Sequence, residues 1–183
     1  GEAGTGKTTT LNQLKNLETN ILWCATTAKA GLLIGGKTVH SQFGVPVMGC
    51  RNPNVDVRED RMGDRYCRFF KHREAALRVA NWIVIDECSQ LRCDVMDFVD
   101  RAMQVCRRNR KPFGGVGIIL VGDNGQLQPV ITTERTELQR YGYRFPFTLE
   151  VSRAIESYGL EDFELSMVHR QEDREFSGIL SRM

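Results

Sequence analysis

The sequence is short of the features that assign a chain quickly. No apolar run approaches the roughly 18 to 20 residues that span a bilayer, and the longest are short pieces such as Trp82 to Ile85 and Val116 to Val121. A membrane protein is not expected. Neither sign of charge dominates: 25 basic residues face 23 acidic ones, for a net charge of +2. No bulk positive field therefore announces a nucleic-acid partner, and any such contact has to come from local placement. The six cysteines, Cys24, Cys50, Cys67, Cys88, Cys93 and Cys106, include no Cys-x-x-Cys pair and no nearby histidine grouping. That spacing argues against a metal site and for reduced, packed thiols in an intracellular protein. Internal repeats and low-complexity tracts are also missing.

What is there resembles an ordinary globular chain: 183 residues, 41% hydrophobic and 26% charged. Such values suit one large folded domain, or a domain plus a piece of another, and exclude a disordered or collagenous composition. The chain opens on Gly1 rather than Met, inside a functional motif, so it is expected to be a fragment. Thr8 to Leu17 reads as a helix, and Ile21 to Ala25 as a strand buried on both faces. Thr26 and Thr27 can cap a helix reaching about Leu33, which Gly35-Gly36 stops. Residues 48–65 mix Arg, Asp, Pro and Gly and read as an irregular insertion. Tyr66 to Ala80 suits a helix, Trp82 to Ile85 the next buried strand, and Asp94 a cap for a helix through Arg107. The stripe of Val95, Phe98, Val99, Ala102 and Cys106 gives that helix one apolar face. Gly114-Gly115 breaks the chain before a third buried strand, Val116 to Val121. Helices alternating with buried strands predict a parallel α/β sheet.

Three motifs carry chemistry. Gly1-Glu2-Ala3-Gly4-Thr5-Gly6-Lys7-Thr8 fits the phosphate-loop pattern G-x-x-x-x-G-K-S/T. Glycines there let backbone N–H groups curl around phosphate oxygens, Lys7 reaches the β- and γ-phosphates, and the Thr8 hydroxyl ligates Mg²⁺. ATP and Mg²⁺ are accordingly expected at Gly1, Gly4, Thr5, Gly6, Lys7 and Thr8. The second motif is Asp86-Glu87, delivered by the strand Trp82 to Ile85. In an open parallel sheet ligands bind at the carboxyl ends of the strands, which suits Asp86 to Mg²⁺ and Glu87 to taking a proton from an attacking water. Taken alone, the pair reads equally as solvated acids in a strand-to-helix turn. The third strand ends in Gly122-Asp123-Asn124-Gly125-Gln126, where Gln126 can orient water or contact the γ-phosphate.

In this order the motifs resemble the superfamily-one, subgroup-B DNA helicases of the Pif (petite integration frequency) and RecD-like group. The matching stretches are GEAGTGKT, TTAKAGLLIGGKTVHSQFGVP from Thr26, VIDECSQL from Val84, FGGVGIILVGDNGQLQPV from Phe113 and LSMVHRQEDREFSGIL from Leu165. Departures fall at Gln42, Asn124-Gly125 and Gln128. The resemblance implies a three-layer P-loop NTPase (RecA-like) domain over residues 1–162, with 163–183 as the junction to a second RecA-like domain. It implies ATP hydrolysis coupled to 5′-to-3′ movement on single-stranded DNA, action at duplex junctions, a monomer, and a nuclear location in a eukaryote. Arg170 becomes an arginine finger, although its own surroundings read only as a polar turn. Lys37, Thr38, His40 and Ser41 become DNA contacts, with Phe43 as a stacking face; His40 fits a hydrogen-bonded structural histidine equally well. The basic run Arg107 to Lys111 closes a helix and reads as a solvated cap rather than a phosphate track. A catalytically incomplete nucleotide- or DNA-binding remnant of a mobile-element helicase is the alternative reading.

Overall fold

The computed structural model describes residues 6–17, 19–45, 73–123, 129, 139, 148–149 and 152–165. The expected insertion at 48–65, the stretch 66–72 and most of the expected junction at 163–183 lie outside the described residues.

Five-residue apolar runs with no room for a helical period become the inner strands. Strand β1 is Ile21–Ala25, β2 is Lys37–Thr38, β3 is Trp82–Asp86 and β4 is Gly117–Leu120. They form one parallel sheet in the order β2-β1-β3-β4. Helix α1 covers Lys7–Leu14, α2 Ala28–Leu33, α3 Val39–Phe43, α4 residues 73–79, α5 Cys93–Arg107 and α6 Arg153–Tyr158. Strand and helix alternate as the apolar periodicity requires.

Side chains of β3 alternate between two cores, because successive residues of a strand point to opposite faces. Ile83 and Ile85 join the larger cluster with Met96, Val99 and Met103 of α5 and with Ala154 of α6. Val84 faces the other way, into a smaller cluster with Leu11 of α1 and with Ala30 and Ile34 around α2. Helices on both faces of a parallel sheet give three layers. Burial of both sheet faces explains why the strands read as unbroken apolar runs rather than alternating ones.

Local chemistry sets the ends of the elements. The Thr27 hydroxyl accepts from the Ala30 N–H and caps α2, as expected, while Thr38 accepts from the Ser41 N–H and caps the short helix α3. Gly36 ends the approach to β2 so close to β1 that a Cβ there would lie 2.2 Å from the Trp23 carbonyl oxygen, a place only glycine fits. Helix α1 stops at Leu14 rather than Leu17. Its apolar anchor, Leu11, is buried, whereas Leu17 is exposed and gains nothing from continued helix.

Two expectations need correction. Asp94 does not cap α5: the helix begins at Cys93, Arg92 is the cap position, and the Asp94 carboxylate lies in the first turn. There it faces the positive end of the helix dipole and takes two bonds from Arg92, Nε to Oδ1 at 2.9 Å and a terminal nitrogen to Oδ2 at 2.8 Å. Arg107, at the start of the basic run, is not a solvated charge either. It donates to the carbonyls of Arg78, Ala80 and Gly114, closing the end of α4 and the loop before β4.

Candidate active site

Parallel pairing aligns the carboxyl ends of the strands. Ala25 sits opposite Asp86 on one side and Thr38 on the other, so the acidic pair and the segment after β2 flank the end of β1. Chain exits continue the ladder past the strands: the Thr26 N–H donates to the Asp86 carbonyl at 3.2 Å, Val121 to Ile85 at 2.9 Å and Cys88 to Val121 at 2.9 Å. A Cβ at Gly122 would stand 2.8 Å from Cys88 Sγ and 3.2 Å from the Ser89 nitrogen. The exit from β4 is thus pressed against the turn after the acidic pair, at a spacing only a glycine allows.

Lys7 is the first residue of α1, entered through Gly6. Its ammonium lies 3.7 Å from Asp123 Oδ2, both side chains being largely buried. That contact brings the phosphate-loop lysine to the end of β4. Lys7 also acts electrostatically on Asp86, the last residue of β3. Burial pushes the Asp86 carboxyl above the usual aspartate range; the Glu87 N–H bond and the Lys7 charge oppose that rise and the Glu87 carboxylate adds to it. The opening lysine, held by Asp123 just after β4, and the half-buried acidic pair at the end of the neighbouring β3 therefore stand at the same carboxyl end of the sheet.

Glu87 is held at its N–H, its carbonyl and one carboxylate oxygen. Its backbone is in the left-handed region, φ 55°, which is costly for a residue with a Cβ. The Glu87 N–H donates to Asp86 Oδ1 at 2.9 Å, its carbonyl accepts from the Thr26 hydroxyl at 3.1 Å, and its Oε2 accepts from the Thr27 hydroxyl at 2.9 Å. Neighbouring Cys88 is no competing nucleophile, because burial raises its thiol to about 11 and leaves it protonated at neutral pH.

The other flank of β1 is different. Lys37 and Ser41 are exposed, while Thr38 and His40 are half-buried. Burial lowers the His40 pKa and the nearby Arg92 charge lowers it further, against the pull of Asp94, so the imidazole is neutral near pH 7. Phe43 is not a stacking face: it is 1% exposed and belongs to the larger core. A five-residue helix carrying Val39, Gln42 and Phe43 inward turns that ring away from solvent.

Among the expected site residues, the fold brings together Gly6, Lys7, Asp86 and Glu87, and places Lys37, Thr38, His40 and Ser41 at the neighbouring edge. Gly1, Gly4, Thr5, Gln126 and Arg170 lie outside the described residues; Thr8 is on α1, but its side chain lies outside the description too. Sequence reasoning passed over three contributors. Asp123 was visible only as an acid closing a strand, and Thr26 and Thr27 only as helix caps.

The donor set suits a divalent cation held lightly by protein. Among the described residues no group of three or more His, Cys, Asp or Glu could form a dedicated cage. The half-buried Asp86 carboxylate is a hard oxygen donor of the kind that could hold Mg²⁺ when phosphate oxygens and waters fill its other positions.

Comparison with known proteins identifies the family and the fold. A family profile described as PIF1-like helicase matches residues 1–178. The ATP-dependent DNA helicase RRM3 of Saccharomyces cerevisiae is 31% identical over 188 residues, covering 99% of this chain and 24% of the yeast protein. The ATP-dependent DNA helicase Pif1 of Psychrobacter is 32% identical over 179 residues, covering 96% of this chain and 25% of that protein. The chain thus spans about a quarter of the curated relatives' length. A crystal structure of Bacteroides Pif1 bound to ssDNA superposes with a TM-score of 0.85 at 31% identity, over 99% of this chain and 40% of that one. Bacteroides Pif1 in complex with ADP-AlF3 and ssDNA gives the same TM-score of 0.85. The fold is the P-loop, RecA-like α/β domain of these helicases, and the chain belongs to the PIF1-like helicase family.

Proposed function

We propose that this chain is the nucleotide-binding half of an ATP-driven DNA helicase, residues 1–162 forming its first motor domain and 163–183 leading toward a second. The observation that carries the reading is the convergence of Lys7, Asp86, Glu87 and Asp123 at the carboxyl end of one parallel sheet, where such folds bind ligands. Lys7 binds the β- and γ-phosphates of ATP, supported by the Gly1-to-Gly6 loop. Thr8 and Asp86 hold Mg²⁺, which when bound offsets the charge on the phosphate oxygens.

Glu87 takes a proton from water as the water oxygen attacks the γ-phosphorus and the bridging P–O bond to the β-phosphate breaks. A fixed carboxylate in this position accelerates the step by roughly 10²- to 10⁴-fold. Gln126 contacts the γ-phosphate, and Arg170 stabilises the charge that develops on it. Lys37, Thr38, His40 and Ser41 contact the phosphates and sugars of single-stranded DNA, as backbone-tracking donors do. The full-length protein moves 5′ to 3′ as a monomer and opens duplex junctions.

The test is DNA-stimulated ATP turnover by the full-length protein, with unwinding of 5′-tailed and 3′-tailed duplexes side by side. Turnover abolished by Lys7→Ala and by Glu87→Gln, with unwinding of the 5′-tailed duplex alone, is the expected result. Wild-type turnover in Glu87→Gln would remove the assigned base. The 183-residue piece by itself should show little DNA-stimulated turnover, because a cleft with one wall cannot close on ATP.

A further inference from the structure

The proposed base does not stand by itself at the end of β3. Its carboxylate is bound by Thr27, from the chain segment that leaves the adjacent strand β1, and the bond Oγ1 to Oε2 measures 2.9 Å. Thr27 is also fixed by its second role, since the same hydroxyl accepts from the Ala30 N–H at 3.2 Å as the cap of α2. Both demands can be met at once: a hydroxyl has one proton to donate and lone pairs with which to accept. Capping orients the lone pair toward the helix, and the O–H is left to point at Glu87.

A side chain with three rotatable bonds on a left-handed backbone has many places to go. Thr26 holds the Glu87 carbonyl at 3.1 Å and Thr27 holds the carboxylate, so two consecutive residues fix both ends of the glutamate. We infer that Thr27 is a positioning residue for Glu87, setting the direction of the base from the first turn of α2; this rests on the reading of Glu87 as the base. Thr27 touches neither nucleotide nor water in this scheme. It acts through the glutamate by limiting the conformations from which the proton can be taken. The tie has a further consequence, because α2 runs through Gly35 and Gly36 into Lys37. The base is thereby fastened to the element that leads to the proposed DNA segment.

Two substitutions in the full-length protein separate positioning from capping. Thr27→Ser keeps a hydroxyl and should retain most of the turnover. Thr27→Gly removes the hydroxyl, yet glycine is a tolerated cap residue, so folding should survive, as a circular dichroism melt would show. Its kcat for ATP is expected to fall about 10- to 100-fold, the rate equivalent of one hydrogen bond to a charged group, with KM for ATP unchanged. A purely structural role would not produce that split. The same Thr27→Gly change placed on Glu87→Gln should lower the residual single-turnover rate no further, since a residue acting through the base has nothing left to position.

Unchanged kcat in Thr27→Gly, an equal fold-loss on both backgrounds, or a rise in DNA-independent turnover would overturn the inference. Wild-type turnover in Glu87→Gln would instead remove the base itself. The two failures are therefore distinguishable.

Discussion

Asp86 and Thr38 flank Ala25 at equal height on either side of β1, yet the two sides are built on opposite terms. On the Asp86 side the backbone is strained at Glu87, the carboxylates are half-buried, and the glutamate has a partner for its N–H, its carbonyl and its side chain. On the Thr38 side a two-residue strand and a five-residue helix present Lys37 and Ser41 to solvent. Under the proposed function this difference has a reason: phosphoryl transfer loses rate steeply when a group is misplaced by an ångström, so residues that carry it would be tied down. Contact with a flexible, charged strand, the role proposed for the Thr38 side, would need donors that can reach and are left outside. The carboxyl end of one sheet carries both sides because β1 separates them by a single strand's width.

The largest effect should come from the tied side. In the full-length protein, Glu87→Gln is expected to cut kcat roughly 10²- to 10⁴-fold while ATP still binds, as nucleotide titration alongside turnover would show. If the loss were under about tenfold, the contrast between the two flanks would lose its functional meaning. Next comes Gly122→Ala, whose new methyl would meet Cys88 Sγ at 2.8 Å and the Ser89 nitrogen at 3.2 Å. A shift of the turn that carries the acidic pair should cost about 1 to 3 kcal/mol, read as a lower urea midpoint, together with a fall in turnover.

Asp86→Asn sharpens the comparison by separating stability from chemistry. Burial raises the folded pKa of Asp86 above its unfolded value. Ionisation therefore costs stability as pH rises through the unfolded value, and above the folded value that cost is present in full. At pH 7 the asparagine variant should denature at a higher urea concentration than the wild type while losing turnover, and the stability gain should vanish at a pH below the unfolded value. An acid that destabilises its own fold is expected where function requires the charge.

Smaller effects belong to the open side. Lys37→Ala should weaken single-stranded DNA binding about equally for all sequences and lower the slope of log affinity against log salt by about 1. An unchanged slope would remove Lys37 from the DNA track. Leu32→Gln, at a position 80% exposed on α2, should change the unfolding free energy from urea denaturation by less than about 0.5 kcal/mol.

How much was legible follows from what each signal needs. Strands β1, β3 and β4 and the long helix α5 were readable within a residue or so, because burial on both sheet faces and on one helix face leaves uninterrupted or periodic apolar residues. Helix α3 was not, since five residues are too few to show a period and its Thr38 cap looks like any loop threonine. The Asp94 pairing with Arg92 was hidden for a related reason: an acid two residues after an arginine is common, and only the start of α5 at Cys93 decides which role it takes. Phe43 was misplaced because aromatic character says nothing about direction until the helix that carries it is packed.

By itself the sequence determined the order of motifs, the residue types able to grip a triphosphate, and the apolar runs that force a parallel sheet. These are local properties, written in spacing and composition. Only the tertiary structure decided that Lys7 meets Asp123, that Gly122 presses on Cys88, and that Thr27 reaches Glu87 from 60 positions away. The reason is physical: such contacts depend on which strand lies beside which, and in what register. Those relations are fixed by burying two cores at once, and no short window of the chain contains them.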